Sequence, residues 1–88
     1  MVRRRVIVHG QVQGVGFRYA LARRADTNGV AGWARNRADG TVEAAFEGAP
    51  EAVDSLVRFC REGPRGASVT RVEVREEDPE GSSRFDVC

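Results

Sequence analysis

The stretch GQVQGVGFR, residues 10–18, places three glycines between a β-like run and a helix-like run and closes on an arginine. A glycine-rich turn of this kind aims successive backbone N–H groups at one point. The helix dipole behind it makes that point attractive to anions. Arg18 falls in the first turn of the following helix, where unpaired N–H groups already carry partial positive charge and acidic residues are usual. A guanidinium is unfavourable there alone. It becomes favourable once a dianionic phosphoryl group stands between it and the amides. The competing structural reading is that the glycines only let the chain reverse tightly and that Arg18 points to solvent. The spacing matches neither GxGxxG nor GxxxxGK[ST], so no nucleotide fingerprint applies.

The second candidate is Asn36, which opens the segment NRADG, residues 36–40. Asparagine at the start of a hairpin loop is ordinary turn chemistry, and only its place relative to the glycine loop gives it a second meaning. Helical and strand periodicities supply that place. A first strand is expected from about Arg3 to His9, on Val6, Val8 and Val12. Phe17, Ala20, Leu21 and Ala25 then form a helical stripe, and Asn28-Gly29 supplies a left-handed stop. A strand follows from about Val30 to Asn36. The Asp-Gly loop leads into a third strand on which Val42, Ala44 and Phe46 alternate. Pro50 suits a helix N1 position. Val53, Leu56, Val57 and Cys60 form a second stripe that Gly63-Pro64 ends. Val72 and Val74 mark a fourth strand, Phe85 and Val87 a short last one.

The order is β-α-β-β-α-β with an extra terminal strand. It predicts an α+β, ferredoxin-like split β-α-β sandwich with an antiparallel sheet of four to five strands and two helices on one face. The crossover makes the first two strands parallel, and the hairpin inserts the third between them. Both the glycine loop and Asn36 then leave the same edge of the sheet, with strand ends roughly 10 Å apart. An extended arginine, a phosphoryl group and a water fill such a gap.

The rest of the inventory limits the chemistry. All 14 basic residues are arginine, which excludes a Walker A lysine or a Schiff base. Cys60 and Cys88 lack CxxC spacing, which argues against a metal site. No cysteine, serine or carboxylate is spaced to make His9 a catalytic base, so it reads as a strand residue. Phe17 and Trp33 read as core, Glu76-Glu77-Asp78 as a solvated strand end, and Arg3-Arg4-Arg5 as a solvated edge or an anion-steering cluster. Phosphate monoesters leave as alkoxides and normally demand metals, a nucleophile or a general acid. A mixed anhydride releases a carboxylate whose conjugate acid has a pKa of about 4, and it departs without an acid catalyst. One arginine, an amide cradle and a side-chain amide holding water suffice for that.

At 88 residues, 41% hydrophobic and 31% charged, the chain reads as one globular domain spanning residues 1–88. A formal net charge of +1 argues against nonspecific nucleic-acid binding. Val6-Ile7-Val8 is too short for a signal-peptide core, and no stretch approaches transmembrane length. These features lead to the expectation of a cytoplasmic protein with free thiols and a monomeric state.

At these residues the sequence resembles an acylphosphatase. GQVQGVGFR is similar to the family's phosphate loop, and GWARNRADGTVE, residues 32–43, to its second motif. GPRGASVTRVEV, residues 63–74, extends the resemblance over nearly the whole chain. The resemblance implies a ferredoxin-like sandwich that hydrolyses the carboxyl–phosphate bond of acyl phosphates without metal or cofactor. It implies that Arg18 binds phosphate, that Asn36 orients water, and that the amides of Gly14, Val15, Gly16, Phe17 and Arg18 complete the cradle. Inorganic phosphate is then product and inhibitor. Ala34 stands where valine is common and Asn28 where leucine is common, departures that bear on packing.

Two other readings remain. One is the acylphosphatase-like module of larger carbamoyl-transfer maturation factors, non-catalytic or handling carbamoyl phosphate; against it stands the length, with no partner domain following. The other is an RNA-binding module of the same strand order. Such modules carry exposed aromatics on their middle strands, and here the third strand, Thr41 to Glu47, offers polar or small outward positions.

Overall fold

The computed structural model describes all 88 residues. The elements run β1 (Val2–Gln11), α1 (Phe17–Asn28), β2 (Ala31–Asn36), β3 (Val42–Gly48), α2 (Pro50–Glu62), β4 (Ser68–Glu77) and β5 (Phe85–Val87). The sheet order is β4-β1-β3-β2-β5. β3 pairs antiparallel with both β1 and β2, so these two run parallel with β3 between them, as the expected split β-α-β requires. The sheet differs from expectation in one respect. β5 pairs parallel with β2, so the five-stranded sheet is mixed, because the chain crosses from one sheet edge to the other after β4 and re-enters in the direction of β2.

Alternation decides which face holds the helices. Val6 and Val8 of β1, with Val42, Ala44 and Phe46 of β3, are fully buried and pack against Phe17, Leu21 and Ala25 of α1 and Val53, Leu56, Val57 and Cys60 of α2. The intervening residues face the helix-free side. Helix ends follow their local chemistry. Gly29 closes α1 in a left-handed conformation with its N–H on Ala25 O, and Pro50 opens α2 at its first turn. No helix is long and apolar enough to cross a membrane.

The helix-free face departs furthest from the sequence reading. Arg3 is 1% exposed and joins Glu47, Glu77 and Glu80. Arg5 bridges Glu43 and Glu77, while Arg4 turns to the helix side, to Asp54 and Glu76. The Arg3-Arg4-Arg5 run is therefore a set of ion pairs and neither a solvated edge nor a free steering cluster, because each guanidinium finds a carboxylate on a neighbouring element. Glu77, expected in solvent, is a shared acceptor. Trp33 is not core either. It is half-buried on this face, with Arg5 at 4.9 Å and Arg35 at 5.6 Å over its ring.

Candidate active site

The glycine loop between β1 and α1 is built by backbone handedness. Gly14 has φ 77° and Gly16 has φ 76° with ψ 24°, values that L side chains adopt only with strain. A Cβ at either position would meet no atom within 4 Å. These glycines are thus required by conformation and not by crowding. Val15 between them packs against the core, close to the turn at Gly66. Phe17 is buried, its ring 6.1 Å from that of Phe59. Two inward anchors thus flank a short run of backbone at the α1 N-terminus. Gly16 caps α1 without any side-chain hydrogen bond, and no acidic residue stands in the first turn. The free N–H groups and the dipole there suit an anion.

Register brings Asn36 to the same edge. Val8 of β1 and Asn36 of β2 both lie opposite Val42 of β3, which separates them by two strand spacings, roughly 10 Å. Asn36 is exposed at the mouth of the β2–β3 hairpin. That hairpin is closed by Arg37 N donating to Thr41 O at 2.9 Å. Asp39 holds its tip by accepting from the Thr41 hydroxyl and N–H, and these hydrogen bonds hold its carboxyl below the ordinary range. Asn36 accordingly sits on a pinned hairpin.

Arg18 reaches this corner from the other side. Its Nη1 donates to the main-chain oxygen of Cys88, and Cys88 N donates to Ala34 O at 2.8 Å. Ala34 is two residues before Asn36 on β2. The end of β5 therefore links the guanidinium to the strand that carries Asn36. Neither this link nor the side chain of Gln13, which donates to Arg37 O at 2.8 Å and Thr41 O at 3.0 Å, follows from the sequence reading. A hydrogen bond to a main-chain oxygen leaves no composition or periodicity signal.

Of the other candidates, His9 and Cys60 stay apart from this corner, and Cys88 meets it through its main-chain atoms. His9 lies on the helix-free face, its Nε2 2.5 Å from Glu73 Oε2, and that contact holds the Glu73 carboxyl low. Cys60 is buried in the core, where burial pushes its thiol up to about 12; Cys88 is exposed. No three His, Cys, Asp or Glu side chains gather as a metal-ligand set.

An α+β ferredoxin-like sandwich with a glycine-rich, helix-backed loop at one sheet edge is thus the class that the fold and this corner define. The acylphosphatase family model matches residues 4–87. The chain is 52% identical to an acylphosphatase of Thermococcus kodakarensis over 98% of its own length and 94% of that protein. It superposes on the crystal structure of the Bacillus subtilis acylphosphatase with TM-score 0.96 and 43% identity, covering 100% of this chain and 99% of that one. The structure of T. kodakarensis HypF is similar at TM-score 0.85 and 29% identity, with this chain spanning 12% of it. The chain belongs to the acylphosphatase family.

Proposed function

We propose that the protein hydrolyses the carboxyl–phosphate bond of acyl phosphates without a metal, at the corner formed by Gly14, Val15, Gly16, Phe17, Arg18 and Asn36. The observation that carries the reading is the convergence on one sheet edge of a helix-backed loop bent by two left-handed glycines, one arginine and one side-chain amide. The loop amides and Arg18 hold the three phosphoryl oxygens, the arginine supplying the full positive charge. Asn36 holds a water opposite the leaving group. The water oxygen bonds to phosphorus as the phosphorus–acyl oxygen bond breaks, and the electron pair leaves on a carboxylate. The water's proton passes to the phosphate or to solvent. Because the leaving group is a weak base, no acid is needed to protonate it.

Inorganic phosphate, matching the phosphoryl group, is then product and competitive inhibitor. The protein works as a cytoplasmic monomer. Benzoyl phosphate, acetyl phosphate and carbamoyl phosphate present the same reacting group, so each is expected to turn over, while a phosphate monoester is not. Steady-state assays of the purified protein in excess chelator check this: full turnover of benzoyl phosphate and negligible monoester hydrolysis are expected, and loss of activity on chelation would contradict it.

A further inference from the structure

Gln13 stands just before the cradle, and its side-chain hydrogen bonds go elsewhere. Its side-chain amide donates to Arg37 O at 2.8 Å and to Thr41 O at 3.0 Å. Thr41 O also accepts from Arg37 N, the bond that closes the β2–β3 hairpin. Both protons of one NH₂ group are therefore spent on the two sides of the hairpin neck, across 24 and 28 residues of chain. Gln13 itself is exposed, so burial does not hold it there. Carbonyl oxygens only accept, and among uncharged side chains of this length only glutamine supplies two donors on one nitrogen. Gly14 begins the cradle one residue after Gln13, and Asn36 precedes Arg37 by one residue. The strand register alone leaves these two segments two strands apart, each at a free end of its strand. The Gln13 amide is the direct side-chain bridge between them.

Resting on the function proposed above, we infer that Gln13 is a positioning residue: it clasps the phosphate loop to the hairpin and so sets where Asn36 holds water relative to the bound phosphoryl group. Phosphate capture itself needs only the loop amides and Arg18, so Gln13 acts on the attack and not on binding. Misplacing reacting groups by about 1 Å costs on the order of a hundredfold in rate.

Gln13→Met keeps the length and removes both donors. With benzoyl phosphate, kcat is expected to fall about ten- to hundredfold, with KM and competitive inhibition by phosphate unchanged. The decisive comparison is the same substitution in an Asn36→Ala background. If Gln13 works through Asn36, it costs nothing further there, since the group it positions is gone. Unchanged kcat in Gln13→Met, or losses that multiply in the double variant, would overturn the inference. Amide hydrogen exchange supplies a readout independent of turnover. The Arg37 N–H, which closes the hairpin neck, should exchange on the order of tenfold faster in Gln13→Met, and an unchanged rate would overturn the clasp. Failure of the parent protein to turn over any acyl phosphate sinks the functional reading instead, and the exchange comparison still decides the clasp.

Discussion

Asn36 and Arg18 occupy one corner with different proposed duties, and kinetics separates them. Asn36 holds the attacking water, a contact that matters as the new bond forms, so its loss appears in kcat. Asn36→Ala is expected to lose at least about a hundredfold in kcat while phosphate still inhibits. Asn36→Asp resolves whether the effect comes from the turn. Aspartate suits a hairpin start equally well, but its charge repels the phosphoryl group, so it should be nearly as inactive; full activity in Asn36→Asp would make Asn36 a turn residue only. Arg18 meets a dianion in ground and transition states alike, so Arg18→Gln should lose turnover and phosphate inhibition together. From the sequence, Arg18 opposes its own helix dipole and its removal promises slight stabilisation. The structure gives it an acceptor in the main-chain oxygen of Cys88, which offsets that strain. The parent should therefore melt at or above Arg18→Gln in the absence of anion. Rising phosphate should raise the parent's Tm by mass action and leave the variant almost unmoved. An equal shift in both would place the anion elsewhere.

The elements that carry the site depend on a few backbone positions. Two kinds of glycine occur. At Gly10 and Gly32 a Cβ would collide with Ser68 O at 2.1 Å and Ala45 O at 1.9 Å, so these glycines permit close strand approach. Gly10 also marks the shift in the β1–β4 register, where β1 bends into the loop. At Gly14 and Gly16 the space is free and only the left-handed dihedral matters. Gly16→Ala should thus fold, at a cost of about 1–2 kcal/mol, and lose phosphate affinity because relief of the strain re-aims the cap amides. Asparagine tolerates the left-handed region, so Gly16→Asn should retain more of both. Thermal melts and phosphate inhibition constants check the ranking; equal phosphate affinity in the parent and Gly16→Ala would mean that the Gly16 dihedral does not shape the cradle.

At the scale of the whole molecule, one buried carboxylate organises the path from β4 to β5. Glu47, 1% exposed at the end of β3, accepts from the N–H groups of Glu80, Gly81 and Ser82 and from Arg3. This anchors the segment that crosses to the far sheet edge, seats β5 beside β2, and so delivers the Cys88 oxygen to Arg18. The same bonds, led by the Glu80 N–H, hold the Glu47 carboxyl below its ordinary value despite burial. For Glu43, burial opposes ionisation, but the Arg35 and Arg5 guanidiniums outweigh it and the carboxyl is again held low. A carboxyl that is more acidic folded than unfolded stabilises the fold at pH above its unfolded value, here 4.5. That contribution fades as pH drops from there through the folded value. Glu47→Gln cannot ionise: it takes a counter-charge from Arg3 and sets an NH₂ donor among the backbone N–H groups that the carboxylate accepted. It should lose about 2 kcal/mol or more near neutral pH, a Tm lower by about 8 °C or more, and its acid limb should be flatter than the parent's. Melts from pH 7 to pH 3 check both; a parent-like acid limb in Glu47→Gln would show that another group dominates acid unfolding.

The residue types of the proposed site and the order of the elements were legible in the sequence because both are local. The glycine-rich turn before Phe17, the α1 stripe of Phe17, Leu21 and Ala25, and the alternation of Val42, Ala44 and Phe46 depend on neighbours a few residues away. The placement of Asn36 and the glycine loop on one sheet edge also followed, since crossover handedness and hairpin pairing leave few topologies. What tertiary structure alone decided lies in contacts between distant segments. The Arg3–Glu47 pair spans 44 residues and the Gln13 clasp up to 28, and Arg18 reaches Cys88 across 70. A charged residue looks solvated in sequence because its partner's distance along the chain carries no period. Only strand register, set by which apolar faces must meet the helices, brings a buried guanidinium to its carboxylate and seats β5 parallel to β2.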